Sequence, residues 1–398
     1  TDEPKVKGAT TEVSTMNATG NANADLEQAT NNSEKDREIS AALVLVTGAV
    51  GYIGSILVRR LLELGYHVRV LDRLMYGDDA IRDILCHPRL EMVVADFRDR
   101  AVVARAVENV GAIVHLGAIV GDPACAIDEN LTTSTNLEAT RMIADVARQA
   151  GIRRMIFASS CSVYGASDEA LDETSALNPV SLYASTKIAA ERALLAMAGA
   201  DFAPVIMRFA TAYGHSYRPR YDLAVNVMTA KAVMEGRITI HGGEQWRPFV
   251  HVDDIARALV LALEAPIGAV AGETFNVGSD GQNHQLKEVG EIIRRLIPCA
   301  EVLTNDLVVD RRNYYVHFAK IRETLDFAPD HTLEQSIVEM KAALDTGAVL
   351  DYRDRRYNNH QFLSQIIGEV AGQDRPFAAD RFATTNTSEE MLPAACDD

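Results

Sequence analysis

Residues 43–73 read LVLVTGAVGYIGSILVRRLLELGYHVRVLDR, and the reading of the fold starts there. A β-branched apolar run, Leu43 to Thr47, enters a turn carrying Gly48, Gly51 and Gly54. An apolar segment at helical spacing, Ser55 to Leu64, follows, and a second β-branched run from His67 ends on Asp72. Strand, glycine turn, helix and strand make a βαβ unit. Gly48 permits a tight turn, Gly51 the approach of a phosphate, and Gly54 the pressing of helix on strand. Tyr52 and Ile53 fall where the helix begins, and there free amides and the positive dipole end hold a pyrophosphate. Asp72, 18 residues after Gly54, is placed to accept hydrogen bonds from the adenosine ribose. Its charge repels a 2′-phosphate and favours NAD over NADP, with neighbouring Arg73 pulling the other way.

Outward from this unit the alternation continues. Further short runs at Leu90 to Ala95, Ala112 to Leu116, Met155 to Ser159 and Pro204 to Arg208 alternate with helix-spaced segments at Val102 to Asn109, Thr135 to Ala150 and Ser185 to Ala198. Six runs separated in this way predict an α/β fold, a doubly wound parallel sheet. Asp96 and Phe97, and then Leu116, Gly117 and Ala118, stand at strand ends where the adenine and the rest of a dinucleotide would lie. After Thr211 the alternation loosens, which predicts a smaller mixed α/β substrate lobe. The expected division is a tail over 1–40, a cofactor domain over 41–210 to which segments near 249–277 return, a discontinuous substrate lobe over 211–345, and an extension over 346–398.

Composition narrows the partners. The 398 residues carry 39 Lys plus Arg against 56 Asp plus Glu, a formal charge of −17, which disfavours nucleic acid and anionic membranes. It leaves open a small phosphorylated ligand held by local arginines. The five cysteines contain no CxxC pair, so reduced thiols are expected and no metal site. No apolar run approaches the roughly 20 residues of a membrane helix, and the expectation is a cytoplasmic protein.

Tyr183 and Lys187 lie four residues apart on one helix face, after the breaker Pro179. A phenol is a poor base at neutral pH, and a nearby cation favours its phenolate. Such a pair acquires meaning from the order of the motifs: glycine turn, acidic strand end, then SSCSVYG over 159–165, then the Tyr–Lys pair. Ser160 stands at a strand's C-terminal edge, where its hydroxyl is placed to hydrogen-bond a bound ligand.

In this order the sequence closely resembles the extended short-chain dehydrogenase/reductase family, in its NAD-dependent nucleotide-sugar epimerase/dehydratase branch. The resemblance covers about residues 42 to 345. It implies catalytic roles for Ser160, Tyr183 and Lys187, and cofactor contacts from the glycine turn, Asp72, Tyr183, Lys187 and Asn136, the last on the helix beneath the site. The family's 4,6-dehydratases carry Asp-Glu directly after the catalytic Thr, and decarboxylases of nucleotide-linked glucuronate carry a Glu there. This chain has Cys161 and Ser162, which favours simple redox chemistry over elimination.

The segment from Arg208 to Gly214 resembles the family's RxxNxYG, with Thr211 in place of Asn. By the same likeness Arg247 grips the nucleotide diphosphate, where a guanidinium offers a bidentate fork, and Asn226 and Arg312 match weaker substrate positions, Arg311 competing with Arg312. Arg353, Arg355, Arg356 and Tyr357, beyond the family's usual end, read as a solvated surface or an oligomer contact. The expected activity is C4 epimerisation of a nucleotide diphosphate sugar through a transient 4-keto intermediate by an NAD-dependent homodimer. The alternatives are a nucleotide 4-keto-deoxysugar reductase and a catalytically silent NAD-binding regulatory protein.

Overall fold

The computed structural model describes residues 1, 43–305 and 312–371. The expectations for the tail beyond Thr1, for 372–398 and for Arg311 lie outside the described residues. Seven strands build the main sheet: β1 (Leu43–Thr47), β2 (His67–Asp72), β3 (Leu90–Val94), β4 (Val110–His115), β5 (Arg154–Ser160), β6 (Ala203–Phe209) and β7 (Thr274–Val277). Every pairing is parallel, in the order β7-β6-β5-β4-β1-β2-β3. The order reverses direction between β1 and β4, and at such a switch point the strand ends open into a crevice.

Burial on both faces explains the continuous apolar strands. In β1, Val44 and Val46 enter one core with Leu57 and Leu61 of α1 (Gly54–Glu63), while Leu45 enters the opposite core with Ile143 of α2 (Ala139–Gln149) and Phe157 of β5. On the first face α4 (Val252–Glu264) adds Ile255 and Leu259 beside α1. Between these two helices in sequence lies α3 (Leu182–Ala196), which begins where Ser181 accepts from the Ala184 amide at 3.2 Å.

The differences from the sequence reading have local causes. The helix after the glycine turn starts at Gly54, since residues 51–53 are still turning. The single helix expected over 135–150 is a π-helical turn, Ser134–Glu138, followed by α2. β7 is only four residues long, TFNV, too short for its period to declare itself, yet Phe275 and Val277 are fully buried beside β6.

The remaining strands form small sheets. Trp246–His251 lies between Asn283–Gln285 and Thr211–Tyr213, and Arg237–His241 pairs with Glu301–Asn305. A separate core containing Tyr213, Phe249, Ile293 and Ile337 holds these elements together. After residue 350 the chain returns to the main sheet, and α5 (Asn359–Ala371) packs Leu363 against Ile119, Ala124 and Cys125.

Candidate active site

The crevice at the switch point opens into a cavity whose floor is the glycine turn. Gly48 holds a left-handed φ of +67°, and a Cβ on it would stand 2.6 Å from Gly117 Cα. A Cβ on Gly54 would meet Gly48 O at 2.5 Å, so helix and turn touch backbone to backbone. This contact carries the N-terminus of α1 into the cavity. Asp72 reaches back across the turn, one carboxylate oxygen accepting from Val50 N at 3.0 Å and the other from Leu74 N at 2.9 Å. It therefore braces the turn as well as lining the cavity. Burial raises its pKa, and the two amides oppose that rise.

Beyond Asp72 the cavity continues past Arg73, Asp96 and Phe97, and on the β4 side past Leu116, Gly117 and Ala118. Arg73 Nη1 lies 3.5 Å from Asp96, whose carboxylate also takes a bidentate fork from Arg98. At the other end stand Ser160, Ser162, Tyr183 and Lys187. Burial pushes the Tyr183 phenol above its ordinary pKa, and a hydrogen bond with Ser160 works against that push. Lys187 donates to Ala158 O at 2.7 Å, and its Nζ lies 4.7 Å from the Phe157 ring centre and 5.8 Å from that of Tyr183. Burial pushes the Lys187 ammonium down to about 8. The positive charge expected beside the phenol is thus poised at neutral pH and held by a backbone carbonyl.

Asn136 stands in the π turn and does not line the cavity. Its Oδ1 accepts from Ile119 N and its Nδ2 donates to Ile119 O, both at 2.8 Å, with a further contact to Thr186 Oγ1 at 3.4 Å. It ties the segment after β4 to α3, the helix of Tyr183 and Lys187. A π turn in this place shifts the helix register where the side chain is needed.

The substrate-lobe residues separate into two sets. Thr211 and Arg312 line the cavity, Arg312 with Nη1 3.6 Å from Asp122 Oδ2. Asn226 and Arg247 do not. Asn226 is 2% exposed and spends its amide on Gly214 and on Arg220 O. Arg247 is buried behind Tyr314, 5.2 Å from its ring centre, and donates to Trp246 O at 2.7 Å. Cys161 also turns away, its thiol directed at Arg208 O at 3.3 Å, so of the two positions after Ser160 only Ser162 meets the cavity.

Sequence reasoning missed Tyr76, Arg218, Arg220, Asn359 and Leu363, all of which line the cavity. The tripeptide Arg218-Pro219-Arg220, with two cations after a glycine punctuation, was the available signal for the loop. Arg353, Arg355 and Arg356 have exposed side chains, but their segment docks by its backbone. Tyr357 O accepts from Tyr221 N at 2.9 Å and Arg356 O from Arg218 at 3.2 Å. Away from the cavity, His251, Asp253 and His331 bring ligand-type atoms within 4.8 Å of one another. The two imidazoles are stacked with centres 4.2 Å apart and planes 18° apart, so one ion cannot lie in both ring planes.

The residues present suit a dinucleotide. A helix N-terminus faces the middle of the cavity, a carboxylate and an aromatic ring stand at one end, and a phenol and an ammonium stand at the other. Ser162 Oγ and Arg218 Nε are buried without hydrogen-bond partners. No described helix is long and apolar enough to cross a membrane.

Residues 44–278 match the model of the NAD dependent epimerase/dehydratase family. A UDP-glucose 4-epimerase of Mycolicibacterium smegmatis is 31% identical over 309 residues, covering 74% of this chain and 96% of its own. MoeE5, solved in complex with UDP-glucose and NAD, is 28% identical with a TM-score of 0.65, covering 77% of this chain and 99% of its own. DesIV, a dTDP-glucose 4,6-dehydratase from Streptomyces venezuelae solved with NAD bound, is 26% identical with a TM-score of 0.69, covering 77% and 97%.

Proposed function

The chain belongs to the NAD dependent epimerase/dehydratase family, and from that premise we propose that it is an NAD-dependent nucleotide-sugar epimerase. It inverts C4 of a sugar carried on a nucleoside diphosphate, by way of a transient 4-keto sugar. One observation carries this reading: Ser160, Tyr183 and Lys187 share a cavity with the glycine turn and Asp72, while Cys161 and Ser162 bring no carboxylate into it for elimination.

NAD, when bound, accepts and returns the two electrons of the sugar's oxidation, so none is consumed over a cycle. The glycine turn and the N-terminus of α1 hold the diphosphate of the cofactor, Asp72 its ribose hydroxyls. Tyr183, as phenolate, takes the proton of the C4 hydroxyl and later returns it. Ser160 shares that proton through its hydrogen bond to the phenol, which favours the deprotonated form. Lys187 offers a cation near the ring, fixed by Ala158 O. Arg312 and Thr211 border the space left for the sugar nucleotide, and Asn226, Arg247 and Asn136 act one layer back as positioning residues. The cofactor domain over 41–210, with its returning segments, and the lobe over 211–345 are the working division of labour. A homodimer in the cytoplasm belongs to the same proposal. Light scattering at twice 43.4 kDa tests the dimer.

The decisive experiment denatures freshly purified protein, identifies the dinucleotide released, and then offers UDP- and dTDP-linked sugars without added NAD. Near-stoichiometric NAD and a conversion that reaches the same equilibrium from either C4 epimer are expected. A protein that turns over only with stoichiometric added NADH overturns the reading in favour of a 4-ketoreductase.

A further inference from the structure

Arg218 is only 7% exposed, yet it has no carboxylate within ion-pairing distance among the described residues. Its neighbour Arg220, by contrast, forms a fork with Asp222 at 2.9 Å on both arms. The Arg218 guanidinium lies over the Tyr76 ring, 3.8 Å from its centre, and Nη2 donates to Asn359 Oδ1 at 2.7 Å and to Arg356 O at 3.2 Å. Its Nε is buried and makes no hydrogen bond among the described residues. Asp72 and Asp222 act on it without a direct ion pair, and a buried cation so placed is stabilised by an anion that meets it. The residue lines the cavity that contains the glycine turn, and its loop touches that turn directly, since Ser216 Oγ donates to Tyr52 O at 2.6 Å and Tyr52 Oη to Gly214 O at 2.8 Å.

We propose that Arg218 is an anion-binding residue of this cavity, taking a phosphate of a bound diphosphate, and that the C-terminal segment 350–371 holds its guanidinium in place. The proposal deepens the functional reading above and rests on it. Asn359 is the key of the arrangement. It is 3% exposed, receives Arg218 on its Oδ1, donates from its backbone to Asp222 Oδ2 at 3.2 Å, and donates from Nδ2 to Val120 O at 3.4 Å. It thereby joins the loop after β4 to the loop of Arg218, and Leu363, one helical turn further on, anchors it in the apolar cluster beside Tyr183. These residues lie past 44–278, the part that the family model matches, so the final arrangement of the site depends on the C-terminal segment. Burial, which pushes the Arg218 pKa down to about 10, is consistent with a cation awaiting its counter-charge.

Two diphosphates meet in such a cavity, that of the cofactor and that of the sugar nucleotide, and the test separates them. Full-length protein stripped of dinucleotide is titrated with NADH by fluorescence and with UDP or dTDP by calorimetry, for wild type, Arg218→Met, Arg218→Lys and Asn359→Ala. The expected result is that Arg218→Met weakens one of the two ligands by roughly ten- to hundred-fold, the worth of a charge-assisted fork. Arg218→Lys restores part of the loss, and Asn359→Ala weakens the same ligand severalfold. Loss confined to NADH assigns the cofactor's diphosphate, and loss confined to the nucleoside diphosphate assigns the substrate's. The salt dependence of that affinity also flattens in Arg218→Met, which a purely structural role does not produce. If Arg218→Met fails to fold, the lysine and Asn359→Ala variants carry the same comparison. Wild-type binding of both ligands, with neither affinity nor salt dependence altered in the variants, overturns the proposal and leaves the epimerase reading standing. Wild type that binds neither ligand overturns both.

Discussion

Removing Glu191 puts a number on the network that carries α3, the helix of Tyr183 and Lys187. Glu191 lies one turn beyond Lys187 on α3 and receives Arg208 of β6 as a fork, Nε to Oε1 at 3.0 Å and Nη2 to Oε2 at 2.7 Å. Ser159 of β5 donates to the same carboxylate, and Tyr164, 3.0 Å from Arg208 Nη1, donates to Asn276 Oδ1 of β7 at 2.8 Å. The paired side chains are 2% and 6% exposed, so water cannot replace a lost partner. Glu191→Ala strands the Arg208 charge in the core and is expected to cost about 3–5 kcal/mol. The double variant Glu191→Leu with Arg208→Met removes both charges at similar volume. In it Ser159 loses its partner while Tyr164 keeps Asn276, so the expected cost is about 1–2 kcal/mol. Urea unfolding of wild type, Glu191→Ala, the double variant and its two single changes, followed by circular dichroism, measures these numbers. A loss below about 1 kcal/mol for Glu191→Ala, or a double variant as unstable as the sum of its single changes, refutes the argument that the pair matters through stranded charge.

Three further outcomes follow from the site. Tyr183→Phe keeps its dinucleotide but loses roughly 100- to 10,000-fold in kcat, as expected on removal of a proton-transfer group; unchanged sugar conversion would remove the mechanism. Lys187 has its folded pKa, about 8, below its unfolded value of 10.5, so the unfolded chain binds more protons between the two and wild-type stability rises with pH across that window. Urea titrations should show the stability advantage of Lys187→Met shrinking from pH 8 to pH 10, and an advantage independent of pH contradicts the assignment. Gly48→Ala forces a Cβ into Gly117 at a left-handed φ, and the expected outcome is a protein that melts lower and purifies without dinucleotide.

The part of the cavity formed by the glycine turn and α3 was legible because its residues are local in sequence. Glycines, a strand end and a four-residue spacing on one helix each state their own geometry, and Gly48, Asp72, Tyr183 and Lys187 line the same cavity. The part formed by the later segments was less legible, because a buried polar side chain does not announce its direction. Asn226 and Arg247 are turned into backbone and ring contacts, whereas Arg218, seven residues after Thr211, faces the cavity. Asn359 was illegible for another reason: its partners Val120 and Arg218 lie 239 and 141 residues away. The π turn around Asn136 escaped the reading since helical periodicity continues through it with only a small slip.

The parallel sheet closes late. β6 is buried along its whole length, yet the strand that covers its outer edge, β7, is supplied only after residue 273. A nascent or truncated chain ending near residue 210 would therefore present APVIMRF as an open, apolar edge, a template for pairing with other chains. Safe excision points, and safe pauses in synthesis, lie beyond Val277 and not at the apparent end of the dinucleotide fold.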